Sequence, residues 1–226
     1  MKKLILFASI FISFAILFGK SFVDHSLWLM TEGLQDVIQG RWDLVFFNVV
    51  IFSSFLFLLS FGKKANWRTS GIYSAFIISL FVEMYGFPLS IYLASSIVQS
   101  PVNYTPDWIL SFNFLKTNFI LTQWMLAGLV VTILGSLLVI LGWNKIYKSK
   151  SLVTSGIYKY SRHPQYFGII LISFGWLIGW TTLLTILMFP ILTFSYYRLS
   201  RREEDYLGKK FGKRFLSYKR KVPMFI

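Results

Sequence analysis

The sequence predicts an all-α integral membrane protein: a polytopic helical bundle of about four spans, followed by a transmembrane helical hairpin and a short cytoplasmic tail. Three observations predict this class. The 226 residues are 55% hydrophobic and only 14% charged, which is too apolar for a soluble domain of this length. The apolar residues form long runs, and the basic residues cluster beside those runs. We expect one membrane domain over residues 1–226, with helices and loops in 1–150 and the chemistry in 151–226.

Charge and composition exclude several classes of function. The net charge of +14 could suit nucleic acid, but the Lys and Arg residues form no interleaved basic and aromatic surface. We therefore expect the lipid bilayer as a partner and no nucleic acid. The chain has no cysteine, which excludes disulfides and thiol catalysis. Its two histidines, His25 and His163, lie far apart, so we expect no metal site.

The first apolar run, Leu4–Phe18, follows two lysines and would be about 22 Å long as a helix. A positive start and a short apolar core also fit a signal peptide, but no small-residue cleavage site follows Phe18. We favour an uncleaved first span. The next segment, Ser21–Asp43, mixes acidic and apolar residues and is typical of an interfacial loop or a short amphipathic helix.

The middle of the chain is predicted to hold three further spans and one external loop. The spans are expected at Leu44–Phe61, Ile72–Val98 and Gln123–Leu141, and the loop at Ser100–Thr122. Lys63 and Lys64 follow the second span, and Lys145 and Lys148 follow the fourth. These ends should be cytoplasmic, because basic residues accumulate on that side.

The third predicted span contains an acidic residue, Glu83, five positions before Pro88. A carboxylate at membrane depth costs a few kcal/mol unless it is protonated or paired, so Glu83 is a candidate functional residue. Pro88 removes a helical hydrogen bond and should kink the helix. A structural hydrogen bond from Glu83 to a neighbouring helix explains the same pattern equally well.

The apolar stretch Phe167–Tyr197 is too long for one ordinary span. One long tilted helix would put the basic tail outside, against the positive-inside bias. A helical hairpin that turns near Gly179 returns the tail to the cytoplasm, beside Arg162 and His163. We favour the hairpin, with both termini cytoplasmic.

A polar segment, residues 155–168, separates two strongly apolar runs. Arg162 offers a fixed fork of donors for a carboxylate or phosphate, and His163 can carry a proton near neutral pH. Pro164 restricts His163 and suits the first turn of a new helix. Chemistry is expected here, although a basic connector that marks the cytoplasmic face would have the same composition.

Two adjacent acids, Glu203 and Glu204, follow Arg198 in the basic tail. Taken alone, such a pair is most often part of a solvated helix face. The order of the motifs along the chain is more specific than the acidic pair alone. It runs Gly-x-Tyr-x-x-x-Arg-His-Pro-x-Tyr-x-Gly, an apolar hairpin, Glu-Glu, then Phe-Gly, Tyr and Val-Pro. Over roughly Thr154–Phe225, this order resembles the isoprenylcysteine carboxyl methyltransferase family and its relatives, the membrane phospholipid methyltransferases.

The resemblance implies that S-adenosylmethionine binds on the cytoplasmic side, between the Arg-His-Pro loop and the Glu-Glu helix, under a lid made by the tail. It places Arg198 near the methyl acceptor, and Glu203 and Glu83 join it as catalytic candidates. The implied cofactor-binding group is Gly156, Tyr158, Arg162, His163, Pro164, Tyr166, Gly168, Glu203 and Glu204. Carboxylates and aromatic rings suit the ammonium, sulfonium and adenine of this cofactor.

The resemblance also implies a lipophilic methyl acceptor, which could be a carboxylate, an amine or a thiol. The motifs do not choose among these. A different class of function stays open on the residues alone: a proton-linked transporter, or a ligand-binding membrane module, that uses Glu83. Cofactor binding separates the two classes, because a transporter has no use for the tail motif.

Overall fold

The computed structural model describes residues 16–29, 108–114, 117–147 and 151–225, with the single positions 13, 46, 50, 54 and 149. These residues are mostly helical. In chain order they form α1 (residues 16–29), β1 (Trp108–Phe114), β2 (Thr117–Thr122), α2 (Gln123–Tyr147), a short 3₁₀ helix (Gly156–Lys159), α3 (Pro164–Gly179), α4 (Leu183–Phe211) and α5 (Lys213–Lys221). The predicted spans at 44–61 and 72–98, and Glu83 with them, lie outside the described ranges. The number of spans therefore stays a prediction.

Helix α1 continues through residue 29, beyond the expected end of the first apolar run near Phe18. The segment after Phe18 is therefore helical at its start, and the helix includes residues 16–18 at the end of the apolar run. Ser21 on α1 accepts hydrogen bonds from Gln123 Nε2 at 3.3 Å and Trp124 Nε1 at 3.1 Å. These bonds fix α1 against the first turn of α2.

The expectation of a loop at residues 100–122 is wrong for its second half, where β1 and β2 pair in an antiparallel hairpin. Phe112 lies opposite Phe119, and Asn113 opposite Asn118. Aromatic and β-branched residues favour a pleated strand, and this segment is rich in Phe, Ile, Leu and Thr. The described chain is accordingly mostly helical with one two-stranded sheet, rather than all-α.

Helix α2 confirms a long apolar helix at the fourth predicted span, although it ends at Tyr147 rather than Leu141. Its residues Gln123–Ile146 are long and apolar enough to cross a membrane. Lys145 lies in the last turn, where a cation interacts favourably with the partial negative charge of the helix end.

Helices α2 and α3 contact each other through glycines. A Cβ atom on Gly135 would lie 2.6 Å from the carbonyl oxygen of Gly168, and one on Gly175 would lie 2.6 Å from the carbonyl oxygen of Gly128. Even a methyl group would overlap the facing backbone at these positions. Small residues that let two backbones touch are characteristic of helix packing in membranes.

The predicted turn near Gly179 is confirmed: α3 ends at Gly179 and α4 begins at Leu183. The side chain of Thr182 accepts from the backbone N–H of Thr185, and the Thr185 hydroxyl accepts from the backbone N–H of Thr182. This reciprocal pair satisfies two donors that a helix start leaves unpaired. Helix α4 then continues to Phe211. Its apolar first half and its charged second half, which carries Arg198, Glu203 and Glu204, therefore form one unbroken helix.

The buried core lies between α2, α3 and the apolar half of α4. Its members are Val139, Trp143, Tyr166, Ile169, Ile172, Trp176, Leu192, Tyr196 and Leu199. Beyond α4, Gly212 adopts a positive φ of 52°, which favours glycine, and turns the chain into α5. Phe215 of α5 is buried, and residues 222–225 run back to the segment before α3. The core therefore supports the loop that carries His163 from one side, and the tail covers it from the other.

Candidate active site

The loop before α3 is tied to the end of the described chain by backbone hydrogen bonds. The N–H of Arg162 donates to the carbonyl oxygen of Pro223 at 3.0 Å, and the N–H of His163 donates to that of Met224 at 3.2 Å. The Ser161 hydroxyl also donates to Met224 O, at 2.9 Å. The tail thus lies directly on the Arg-His-Pro segment.

The guanidinium group of Arg162 caps the C-terminal end of α5. Its Nη1 donates to the carbonyl oxygen of Lys219 at 2.9 Å and to that of Val222. The last carbonyl groups of a helix have no partner inside the helix, and they carry a partial negative charge. Arg162 supplies both a hydrogen-bond donor and a positive charge to these carbonyl groups, although it lies about 60 positions earlier in the sequence.

Glu204 is fully buried among cations. Arg162 Nε and Nη2 lie 2.7 and 2.6 Å from its Oε1, and Lys219 Nζ lies 2.7 Å from its Oε2. His163 Nε2 is more distant, at 3.5 Å from Oε1. Burial alone would raise the pKa of Glu204, but His163, Lys219 and Arg162 outweigh it and lower the pKa to about 2. Glu204 is therefore an anion at any ordinary pH.

Glu203 has a different environment, because its side chain remains 31% exposed. The Tyr166 hydroxyl donates to its Oε2 at 2.7 Å, and His163 Nδ1 lies 3.5 Å from the same oxygen. Burial opposes ionisation, yet the contacts with His163 and Tyr166 lower the pKa of Glu203 below its usual value. Glu203 is thus an ionised carboxylate with an open side.

His163 lies between the two acids and is almost completely buried. Burial alone would lower its pKa, but Glu203 and Glu204 outweigh burial and raise the pKa above its usual value. Its ring stacks on that of Tyr166, with centroids 5.3 Å apart and planes within 6°. This buried pair lies beside the carboxylate of Glu203.

Tyr158 is held in a separate network next to this cluster. Its hydroxyl donates to Gln165 Oε1 at 2.9 Å, and its carbonyl oxygen accepts from the Tyr218 hydroxyl at 2.6 Å. Tyr158 is buried. These contacts connect the 3₁₀ helix to both α3 and α5.

The structure brings together five of the residues that the sequence singled out: Arg162, His163, Tyr166, Glu203 and Glu204. Three others have backbone positions that explain their identity. Gly156 has a positive φ of 65°, Pro164 occupies the first turn of α3, and Gly168 lies against Gly135 of α2.

Arg198 is not part of the cluster. It is exposed on α4, and its guanidinium lies 5.7 Å from the centre of the Phe194 ring. Glu83 is outside the described residues, so its position relative to the cluster stays open.

Sequence reasoning missed Lys219, Gln165 and Tyr218. Lys219 stands in the run Lys-Arg-Lys, where nothing distinguishes it from its neighbours. The only available signal was indirect: two acids that enter a buried site need more positive charge than Arg162 and His163 supply.

A known family model matches the part of the chain that contains Arg162, His163, Tyr166, Glu203 and Glu204. Residues 117–214 match the family model described as phospholipid methyltransferase. The chain is 34% identical to the protein-S-isoprenylcysteine O-methyltransferase of Saccharomyces cerevisiae, over 49% of this chain and 54% of that protein. It is 42% identical to the Dictyostelium discoideum protein of the same name over 31% of this chain and 30% of that protein, and 29% identical to the Rattus norvegicus one over 74% and 67%.

The family model and these relatives are all named as methyltransferases. The chain is therefore similar, over part of its length, to the phospholipid methyltransferase family model and to the isoprenylcysteine O-methyltransferases. The match spans about half the length of the yeast relative. The activity and substrate of the whole relatives are therefore proposals for this chain.

Proposed function

We propose that this protein is an S-adenosylmethionine-dependent methyltransferase that methylates a lipophilic acceptor at the cytoplasmic face of the membrane. The observation that carries this proposal is the cluster of His163, Tyr166 and Glu203. It lies within the matched region, at the junction of an apolar hairpin and a basic tail. The proposal includes a multi-pass topology with both termini in the cytoplasm.

The charges and rings of the cluster fit this cofactor. Glu203 is ionised and 31% exposed, so it can accept hydrogen bonds from the ammonium group. The buried, stacked rings of His163 and Tyr166 hold this carboxylate in place, since the Tyr166 hydroxyl donates to Glu203 Oε2 at 2.7 Å. Gly156, Pro164 and Gly168 contribute through the backbone shape that they give the loop and α3.

When bound, the cofactor supplies a methyl group on a positively charged sulfur: an acceptor lone pair forms the new bond while the carbon–sulfur bond breaks and its electron pair stays on sulfur. The residues of the chain then have to align the two reactants and exclude water. Residues 222–225 lie over the Arg-His-Pro loop and supply that cover. A carboxylate acceptor needs no general base, so no proton has to move.

The acceptor site is proposed on the side of α4 that carries Arg198. This cation is exposed and lies at the border between the apolar and charged halves of the helix. A guanidinium there suits a carboxylate whose lipid chain remains in the bilayer. The names of the relatives refer to isoprenylcysteine, which makes an S-prenylated cysteine the first acceptor to test. Glu83 is proposed to face the same region from the bundle interior.

Incubation of purified protein with methyl-labelled S-adenosylmethionine tests the function directly. An S-prenylated cysteine, phosphatidylethanolamine and a native lipid extract serve as separate acceptors. We expect label in a lipid-soluble product, and base-labile label would identify a methyl ester. Absence of label in all three acceptors, with folded protein, would contradict the proposal.

A fusion of a reporter to Ile226 tests the topology. The proposal requires a cytoplasmic signal, because Glu203 and His163 must meet on the same side as the cofactor. An external reporter would contradict the proposed orientation.

A further inference from the structure

The two adjacent acids of α4 have unequal capacity for a ligand. Both oxygens of Glu204 already face cations, since Oε1 meets Arg162 and Oε2 meets Lys219. Its side chain has no exposed surface, whereas that of Glu203 is 31% exposed. A ligand ammonium at Glu204 would have to displace one of these cations and leave it unpaired near the protein interior, which is costly.

Arg162 is similarly committed to the protein. Its Nε and Nη2 contact Glu204, and its Nη1 donates to two carbonyl oxygens at the end of α5. A guanidinium group has five N–H donors. These four contacts leave it little capacity for the carboxylate of a cofactor.

Apart from Glu204, the groups that the Arg162 side chain holds belong to the tail, namely the carbonyl oxygens of Lys219 and Val222. Besides α5, the loop binds residues 222–225 through the N–H groups of Arg162 and His163 and through the Ser161 hydroxyl. Phe225 also stacks on Phe167 of α3, with ring centroids 6.2 Å apart. The tail therefore stays over the loop only while its attachment to Arg162 and to α4 persists.

We propose that Arg162, Glu204 and Lys219 form a clasp that positions the C-terminal segment over the cofactor, and that Glu203 alone of the acidic pair contacts the cofactor. This inference rests on the proposed function and assigns positioning roles to the three clasp residues. Lys219 of α5 forms an ion pair with Glu204 of α4. Glu204 also forms an ion pair with Arg162 of the loop. Arg162 in turn donates hydrogen bonds to carbonyl oxygens at the end of α5. The clasp thus connects the three segments that surround His163.

Hydrogen–deuterium exchange of the peptide that covers residues 216–226, in the ligand-free protein, reports whether the tail is held. Lys219→Met should raise the exchange rate there by about 3- to 30-fold, because the tail opens more often. Lys219→Arg retains the charge and should restore most of the protection. Lys221→Met is the matched control, since Lys221 is exposed at the end of the same helix, and it should leave the rate unchanged.

Calorimetric titration with S-adenosylhomocysteine then separates the two acids. Glu203→Gln should weaken binding by about 10- to 150-fold, as expected for a lost charge-assisted contact, while the ligand-free tail remains protected. Glu204→Gln should raise tail exchange in the absence of ligand. If Glu204→Gln does not fold, the Lys219 variants still test the clasp.

Unchanged tail exchange in Lys219→Met would overturn the clasp. Loss of affinity in Glu204→Gln with a fully protected tail would do the same, because it would make Glu204 a ligand. If the wild-type protein binds no S-adenosylhomocysteine and transfers no methyl group, the proposed function fails instead. The exchange experiment in the ligand-free protein still decides the clasp in that case.

Discussion

The contact between α2 and α3 and the cluster at the tail are held together by opposite physical means. Between the helices, glycines let two backbones touch, and no charge is involved. At the tail, two carboxylates contact a histidine, an arginine and a lysine, and Glu204, His163 and Arg162 are shielded from water. The stability of the contact between α2 and α3 should therefore depend on side-chain volume, and the stability of the tail cluster on the ionisation of its side chains. The described chain combines a pH-independent scaffold with a charged site at one end.

The largest effect should follow from removal of the buried anion. Glu204→Ala leaves Arg162 and Lys219 without their carboxylate, and breaking a buried ion pair typically costs about 3–5 kcal/mol. Thermal unfolding in detergent measures this loss. Asp205→Ala is the matched control, because Asp205 is the exposed neighbour of Glu204 and should change stability by less than about 0.5 kcal/mol. Equal effects of the two variants would show that Glu204 is not buried among cations.

A somewhat smaller effect is expected from volume added between the helices. Gly135→Val would place atoms within overlap distance of the Gly168 carbonyl oxygen, so the backbones must separate at a cost of about 2–3 kcal/mol. Gly19→Val is the control, because among the described residues nothing outside its own stretch of helix lies within 4 Å of a Cβ atom there. Unfolding at pH 5 and pH 7 should show the same loss for Gly135→Val. A loss that depends on pH would contradict the separation of the two regions.

The pH dependence of stability should come from the cluster. The pKa of Glu204 is lowered to about 2 in the folded state, so its contribution is complete above about pH 4.5 and is lost as the pH falls toward 2. The pKa of His163 is raised, so its contribution is present below its unfolded pKa of about 6.5 and is lost as the pH rises through the folded value. Unfolding temperatures measured across this range should be highest between the two limits. His163→Gln should remove the decline on the alkaline side and leave the acidic one, and an unchanged alkaline decline would mean that another group causes it.

The smallest effect concerns the core between the two regions. The Tyr196 hydroxyl is buried and has no hydrogen-bond partner among the described residues. Tyr196→Phe removes this unsatisfied group without changing the ring, so stability should be unchanged or should rise by up to about 1 kcal/mol. The control is Tyr197→Phe, whose ring is 45% exposed. A clear destabilisation by Tyr196→Phe would show that the hydroxyl has a partner.

The features that the sequence predicted correctly depend on one-dimensional patterns. The length of the apolar stretch 167–197 and the basic residues that follow it favoured a helical hairpin over one long helix, and the turn lies at the expected glycine. The hairpin then returns Glu203 to the level of His163, as the motif order implied. The strands at 108–122 were missed because polar residues among the aromatics suggested a loop.

Helix geometry explains the parts of the site that the sequence did not predict. Successive residues of an α-helix point about 100° apart, so the two adjacent acids reach different sides of His163 and differ in their other contacts. Arg198 and Glu203 are five residues apart, which puts them on different faces and leaves Arg198 outside the cluster. The role of Lys219 depends on the path of the chain after Gly212, and no local pattern encodes a contact across that turn.

The central claim is that Glu203, beside His163 and Tyr166, holds S-adenosylmethionine. Calorimetric titration with S-adenosylhomocysteine tests it most directly when wild-type protein, Glu203→Gln and the exposed control Asp205→Asn are compared. We predict one site per chain in the wild type, the same affinity in Asp205→Asn, and binding weaker by about 10- to 150-fold in Glu203→Gln. Equal affinity of the wild type and Glu203→Gln, with both proteins folded, would contradict the account.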